Sequence, residues 1–377
     1  MGLRGSRWKR RAPGRPTSRR RRRKQLRPDG DLQRAEPLEA GVSLDVTDPR
    51  GRALLLDLVG KSDVFLQNFS PRAIENMDLG YDVLRRANPA IVAVSMPAFG
   101  LDGPYRDRAS YGPGIDAMSG ISHLTGYADG PPMKPGNFFC DQQAAALATL
   151  GTLTALWHRD RTGDGQHIEL AMIEGEMQLL ADAYLDHLWN GVERIRDGNG
   201  HPRHAPHDTY RCKGEDEWVA IAVETDAQWQ KLCRAIGRPE LVGAERYANE
   251  RARHENREAL RPIIEAWSCS RSHYQAQLEL QAAGIPAGAA LNCMELLEDP
   301  HLTARGTFEY VDVPNVGPSP FPRAAYRLSD TPARMSAPAR FGEANRDVFC
   351  GLLGISELEL EELTAAGVTP SEPAGGH

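Results

Sequence analysis

The chain has 377 residues, 41% of them hydrophobic and 25% charged, the composition of an ordinary globular protein with room for one large or two medium domains. No apolar run reaches the roughly 18–20 residues of a membrane helix. The best candidate, residues 144–157, is interrupted by Thr149, Gly151, Thr152 and Thr154 and reads as a buried helix. The six cysteines are dispersed with no Cys-x-x-Cys pair, which argues against a zinc ribbon or disulfide framework and fits a cytoplasmic setting.

The net charge of -6 is unevenly placed. Residues 1–40 hold twelve Arg and two Lys against four acidic groups, so the rest of the chain is strongly acidic. Residues 1–38, with the run Arg19–Arg23 and almost no apolar periodicity, cannot bury enough surface to offset their ordering entropy and are expected to be disordered. Such a leader can neutralise phosphates, but a solvated tail or a mis-started stretch is the simpler reading, and nucleic acid is not an expected partner.

From Val42 the texture changes. Asp48-Pro49 supplies an N-cap and a first-turn proline for an apolar helix through Val59. Residues 63–69 read as a strand, 72–77 and 81–87 as helices, and 90–96 as a fully buried strand. Short continuous apolar strands alternating with helices indicate a parallel sheet. Between Phe99 and Cys140 runs a glycine-rich loop region with one helix at 115–124; long loops of this kind usually carry function. A helix at 142–159, a strand at 166–172 and a helix at 174–189 follow. Residues 198–207 read as a polar linker. Beyond it come a strand at 218–223, helices at 226–236, 256–267 (kinked or split at Pro262) and 272–283, and a closing helix at 357–365.

Dinucleotide, P-loop and nucleophile-elbow motifs are all missing. His201, His204 and His207 are three apart, yet Pro202 and Pro206 break any helix that would align them, so a solvated linker is favoured over a metal site. Asp141 stands out. It follows a loop and opens an alanine-rich helix, where backbone N–H groups and the helix dipole favour an ionised carboxylate. Such a group can attack an activated acyl carbon, although capping is the commoner use of an aspartate there.

The surrounding motifs decide between the two. They are S-L-D-V-T-D-P-R-G-R at 43–52, D-V-F-L-Q-N-F-S-P at 63–71, G-P-Y at 103–105, S-G-I-S-H-L-T-G-Y-A-D-G-P-P at 119–132, G-N-F-F-C-D at 136–141, T-G-D-G-Q-H-I-E-L-A-M at 162–172 and D-P-H-L-T-A-R-G at 299–306. Seven such stretches in order over residues 42–368 resemble the family III CoA-transferases, the CaiB/BaiF family. The resemblance implies an open, Rossmann-like parallel-sheet α/β large domain (39–197, resumed at 311–377), a smaller α+β domain (198–310) and two interlocked chains forming a homodimer.

It also implies a chemistry. Asp141 attacks the thioester of an acyl-CoA donor, and an aspartyl anhydride and then an aspartyl-CoA thioester carry the group to a carboxylic acid acceptor. Coenzyme A enters as substrate, with no tightly bound cofactor and no metal. Asn68 and Phe69 match positions lining the CoA pocket, and Tyr111 matches an aromatic near the thioester; core packing is the rival reading for Phe69 and Tyr111. Gly136 and residues 112–120 match the glycine-rich loops that offer N–H donors to the oxyanion. The motif selects Asp141 over its neighbour Cys140.

Racemases of the same family carry a histidine where this chain has Ile115, so proton exchange is the lesser alternative. A catalytically impaired CoA-binding protein is another, because the family's first βαβ unit is not visible and Glu39, Ala40 and Asn76 stand where basic residues are usual. Residues 1–38 are accordingly expected to be frame-shifted or mis-started.

Overall fold

The computed structural model describes residues 40–333 and 335–373; the expectations for residues 1–38 lie outside them. The first helix, α1 (Pro49–Val59), starts as the sequence dictates: Asp48 accepts the Arg50 N–H and Pro49 occupies the first turn. Next come β1 (Val64–Gln67), α2 (Pro71–Asn76), α3 (Tyr81–Ala87) and β2 (Val92–Ser95). The helix expected at 115–124 is instead two, α4 (Gly112–Ser119) and α5 (Ile121–Leu124), divided at Gly120 with φ 102°. A side chain resists that left-handed backbone and glycine does not.

The long helix α6 (Phe139–Thr162) closes on left-handed Gly163 and leads into β3 (Gln166–Glu169). The helix expected at 174–189 is broken by a 3-10 turn into α7 (Met172–Met177) and α8 (Ala181–Asn190).

Strands β1, β2 and β3 form a parallel sheet in that order, Val64 opposite Val92 and Val92 opposite Gln166. Because side chains alternate across a strand, β2 serves two cores. Val92 and Val94 pack on Ala148 and Ala155 of α6, while Ile91 and Ala93 pack on Val59 and Leu84. Helices therefore cover both faces of the sheet, the α/β architecture that its apolar strands demand.

A second core is built farther along from β4 (His207–Arg211), β5 (Trp218–Ala222), α9 (Asp226–Ala235), α10 (Glu250–Glu255), α11 (Arg257–Ser268), α12 (His273–Ala282) and β6 (Ala287–Ala289). The antiparallel sheet β4-β5-β6 lays Val219 and Ile221 against Trp229, Leu232, Leu260, Ile264 and Leu280. Two local expectations need correction. His207 is the first residue of β4, not the end of a linker, and Pro262 sits inside α11 without splitting it.

The remaining elements are α13 (Cys293–Glu298), α14 (Pro300–Ala304), the hairpin β7 (Phe308–Val313) and β8 (Gly317–Pro322), a π-helix (Arg346–Leu353) and α15 (Glu357–Ala365). The expected boundary at residue 310 falls inside β7. From the C-terminal part, Phe349, Leu363 and Val368 join Leu54 of α1 in one cluster. The Asp45 N–H donates to the Val368 carbonyl at 2.8 Å. No helix among the described residues is long and apolar enough to cross a membrane.

Helix α6 departs from its expected burial. Its alanines 144, 148 and 155 are buried, whereas Leu150, Leu153 and Trp157 are exposed.

Candidate active site

The parallel strands end where the chemistry-bearing loops begin, as is general for open α/β sheets. Past the end of β2, Met96 and Ala98 pack with Ile115 of α4, Cys140 and Ala144 of α6 and Met172 of α7. This small apolar cluster fixes the first turns of α4 and α6 against each other. Asp141 is the third residue of α6, one turn from its N-cap Phe138, which offers no side-chain cap. The capping role is therefore not its own.

Gly112, first residue of α4, lies against the Asp141 carboxylate: a Cβ there would stand 2.5 Å from Asp141 Oδ2 and 3.2 Å from Phe138 Cβ. Two helix N-termini thus meet at one half-buried carboxylate, a place where backbone N–H groups point at negative charge. Gly136, by contrast, has no atom within 4 Å of a built Cβ.

The electrostatics differ from the simple helix-dipole expectation. Burial, then the nearby Asp116, push the Asp141 acid above the usual range, while the Cys140 thiol and the backbone N–H pull it back only in part. Cys140 is fully buried, and burial together with Asp141, Asp116 and Glu176 drives its thiol far up. A thiol so held supplies no thiolate.

Two further acids were not singled out from the sequence. Asp116 on α4 and Glu176 on α7 are each 0% exposed. Asp116 Oδ1 accepts the Cys140 N–H at 3.3 Å, so it, not Asp141, serves an amide of the first turn of α6. Burial, followed by the facing Asp116, pushes the Glu176 acid up to about 7, with Ser119 pulling it back in part. A signal did exist in the sequence: Gly175, where a Cβ would sit 2.8 Å from the Gln143 side chain, is the small residue that lets α7 approach α6.

The expected binding residues are distributed unevenly. Tyr111, the N-cap of α4, adjoins Gly112 and is 88% exposed; Phe69 is 53% exposed. Neither is core, which removes the packing reading for both. Asn68 and Phe69 follow the end of β1, on the same edge of the sheet as the Asp141 loop. Their turn is held by a relay: the Gln67 side chain accepts the Phe69 N–H at 2.7 Å and donates to the Ser95 hydroxyl at 2.9 Å, which meets His167 Nε2 at 2.9 Å. Among the described residues no hydrogen bond joins Asn68 or Phe69 to Asp141.

Ile115 is 1% exposed and packed in hydrocarbon, so its side chain is core and offers no base. The three histidines are engaged locally. His201 Nδ1 accepts the N–H groups of Arg203 and His204, His204 meets Glu250 at 2.9 Å, and His207 Nδ1 contacts the Asn199 carbonyl. No group of metal-binding side chains is found among the described residues, and the six cysteines are free.

A half-buried carboxylate at the C-terminal edge of a parallel sheet thus lies between two helix N-termini, with a glycine against it. The sequence model of CoA-transferase family III matches residues 39–344. The chain belongs to that family, whose substrates are CoA thioesters, and it is a CoA-transferase. It is 35% identical over 329 residues to the succinyl-CoA–D-citramalate CoA-transferase of Chloroflexus aurantiacus, covering 87% of this chain and 81% of that one. A formyl-CoA:oxalate CoA-transferase of Streptomyces avermitilis is 32% identical over 342 residues, with 87% and 83% covered. Among solved structures, a CaiB/BaiF family protein from Brucella suis superposes with a TM-score of 0.76 at 32% identity, covering 83% of this chain and 81% of the other.

Proposed function

We propose that this protein transfers coenzyme A from an acyl-CoA to a small carboxylic acid through covalent intermediates on Asp141. The observation that carries the reading is the placement of Asp141: half-buried, not used as a cap, and pushed toward higher basicity beside Gly112.

In this scheme an Asp141 oxygen attacks the thioester carbonyl and the C–S bond breaks. The CoA thiolate leaves and a mixed anhydride remains. The thiolate then attacks the Asp141 carbonyl carbon, releasing the donor acid and leaving an aspartyl-CoA thioester. The acceptor carboxylate attacks that thioester, and the returning thiolate takes the new acyl group, freeing Asp141. Each step exchanges one activated acyl for another. The N-terminal turns of α4 and α6 are suited to receive the developing oxyanion. Asn68, Phe69 and Tyr111, exposed on the same edge, are suited to line the path of the CoA. Relatives named for citramalate, malate, oxalate and glutarate favour a short di-acid acceptor here.

The working form in this reading is a homodimer that interlocks a large α/β unit and a smaller unit built on the β4–β6 sheet. Its support is apolar surface left uncovered in one chain. Helix α8 has no buried residue, and Leu188 and Trp189 on it, with Leu150, Leu153 and Trp157 on α6, are all exposed. Exposed apolar area of that extent marks an interaction surface.

Incubation with an acyl-CoA panel followed by peptide mass mapping tests the mechanism. A CoA or acyl adduct on the Asp141 peptide is expected, and its absence with every donor in folded enzyme defeats the reading. For the assembly, sedimentation of Leu188→Glu/Trp189→Glu is expected to give monomer where the unmodified chain gives dimer.

A further inference from the structure

Beneath Asp141 lie two carboxyl groups that the exchange chemistry does not consume. Asp116 and Glu176 are both fully buried, and Asp116 Oδ2 and both Glu176 oxygens lack a donor. Two ionised carboxylates within reach of each other in such a place repel and are poorly solvated. One proton between them makes an O–H that joins two of the three orphaned oxygens. The other Asp116 oxygen already accepts the Cys140 N–H, and the Ser119 hydroxyl donates to the Asp116 carbonyl at 3.1 Å.

Resting on the reading of Asp141 as nucleophile, we propose that Asp116 and Glu176 are positioning residues joined by a single shared proton, so that the Asp116 carboxyl holds the first turn of α6 beside Asp141. Asp116 also raises the Asp141 acid. A more basic carboxylate is the better nucleophile. The repulsion between Asp116 and Asp141 is relieved when Asp141 loses its charge on acylation, so it acts on the free nucleophile and not on the intermediate.

The groups facing Glu176 are Asp116 and Ser119 from α4 and Cys140 and Asp141 from α6, with Glu174 on its own helix turned to the exposed side. All are acidic or neutral. Burial and Asp116 hold the Glu176 proton up to about 7. Above that value the shared proton is lost, Asp116 and Glu176 are set against each other, and the first turn of α6 loses its hold.

The experiment is the pH profile of aspartyl-CoA formation, with succinyl-CoA as donor, in the unmodified enzyme, Glu176→Gln and Asp116→Asn. The unmodified enzyme is expected to lose rate above about pH 7. Glu176→Gln, which keeps a neutral donor, is expected to lose that alkaline fall. Asp116→Asn is expected to move the acid limb to lower pH and to lower the plateau about tenfold. A merely structural role would lower rates without moving either limb. An alkaline fall unchanged in folded Glu176→Gln, or an acid limb unmoved in Asp116→Asn, overturns the proposal.

Should a variant not fold, infrared titration of the unmodified enzyme decides. A protonated-carboxyl stretch persisting toward neutrality supports the shared proton, and its disappearance in the ordinary carboxylic range overturns it. That measurement also separates the two readings: without any adduct on Asp141 the transfer mechanism fails, while the infrared band still reports on Asp116 and Glu176.

Discussion

In the region of β4–β6 the buried Arg253 faces opposite charge and the buried His273 sits between two carboxylates, whereas the buried acids beside Asp141 face one another. Arg253, 1% exposed, reaches Asp226 Oδ1 at 2.8 Å and donates to the carbonyls of Ala205 and Tyr247 at 3.2 and 3.4 Å. The ring nitrogens of His273 each lie 3.0 Å from a carboxylate, Glu217 on one side and Glu295 on the other. Around Asp141 the pattern is reversed, since Asp116 raises both Asp141 and Glu176. Compensated burial serves stability. Uncompensated burial lowers it and is retained where reactivity gains from a perturbed acid.

Asp141→Asn tests this contrast most directly. Transfer activity is expected to fall by at least about a thousandfold, read as succinyl-CoA turnover, while the melting temperature holds or rises because one of the clustered acids is gone. A large loss of stability in that variant would make Asp141 structural. Next is Arg253→Met. It leaves the Ala205 and Tyr247 carbonyls without their donor, and a loss of roughly 3 kcal/mol is expected in urea unfolding. Turnover per folded molecule should be unchanged, because none of its partners lies near Asp141.

Gly112→Ala follows. Its methyl would meet Asp141 Oδ2 at 2.5 Å, so the carboxylate must move, and a displacement of that order costs roughly a hundredfold in kcat. KM for the acyl-CoA and the unfolding midpoint are expected to change little. A KM effect without a kcat effect would place Gly112 on the binding path instead.

Much of the parallel-sheet half was legible because local signals and packing agree there. The helix at 81–87 and the closing helix at 357–365 occupy their expected residues, and Asp48-Pro49 marks its helix start. The hairpin β7–β8 was not legible. Its second strand, Gly317–Pro322, contains three prolines, which argue against a strand and are tolerated only where no ladder hydrogen bond is needed. Strand β4 escaped because His207, Asp208 and Arg211 break the apolar pattern, and only pairing with β5 holds them extended. In the site, the motif delivers Asp141 but not its partners. Glu176 sits on a helix with exposed neighbours Glu174 and Met177, and its burial comes from α4 and α6, which local periodicity does not encode.

The smallest expected effect tests the same contrast through stability. In the folded chain Glu176 keeps its proton up to about 7, against a value of 4.5 for an unperturbed glutamate. Between those values the folded state binds more protons than the unfolded one, so this group makes stability fall as pH rises. Below 4.5 both states are protonated and nothing is lost; above 7 the whole penalty stands. Glu176→Gln removes the ionisation and should therefore be the more stable protein on the alkaline side, by on the order of 2 kcal/mol, with the difference shrinking toward acid pH. Urea midpoints on either side of that window measure it. The opposite slope, with the glutamine variant gaining only in acid, would mean that a cation neutralises Glu176 as Asp226 neighbours Arg253, and the two regions would then handle buried charge alike.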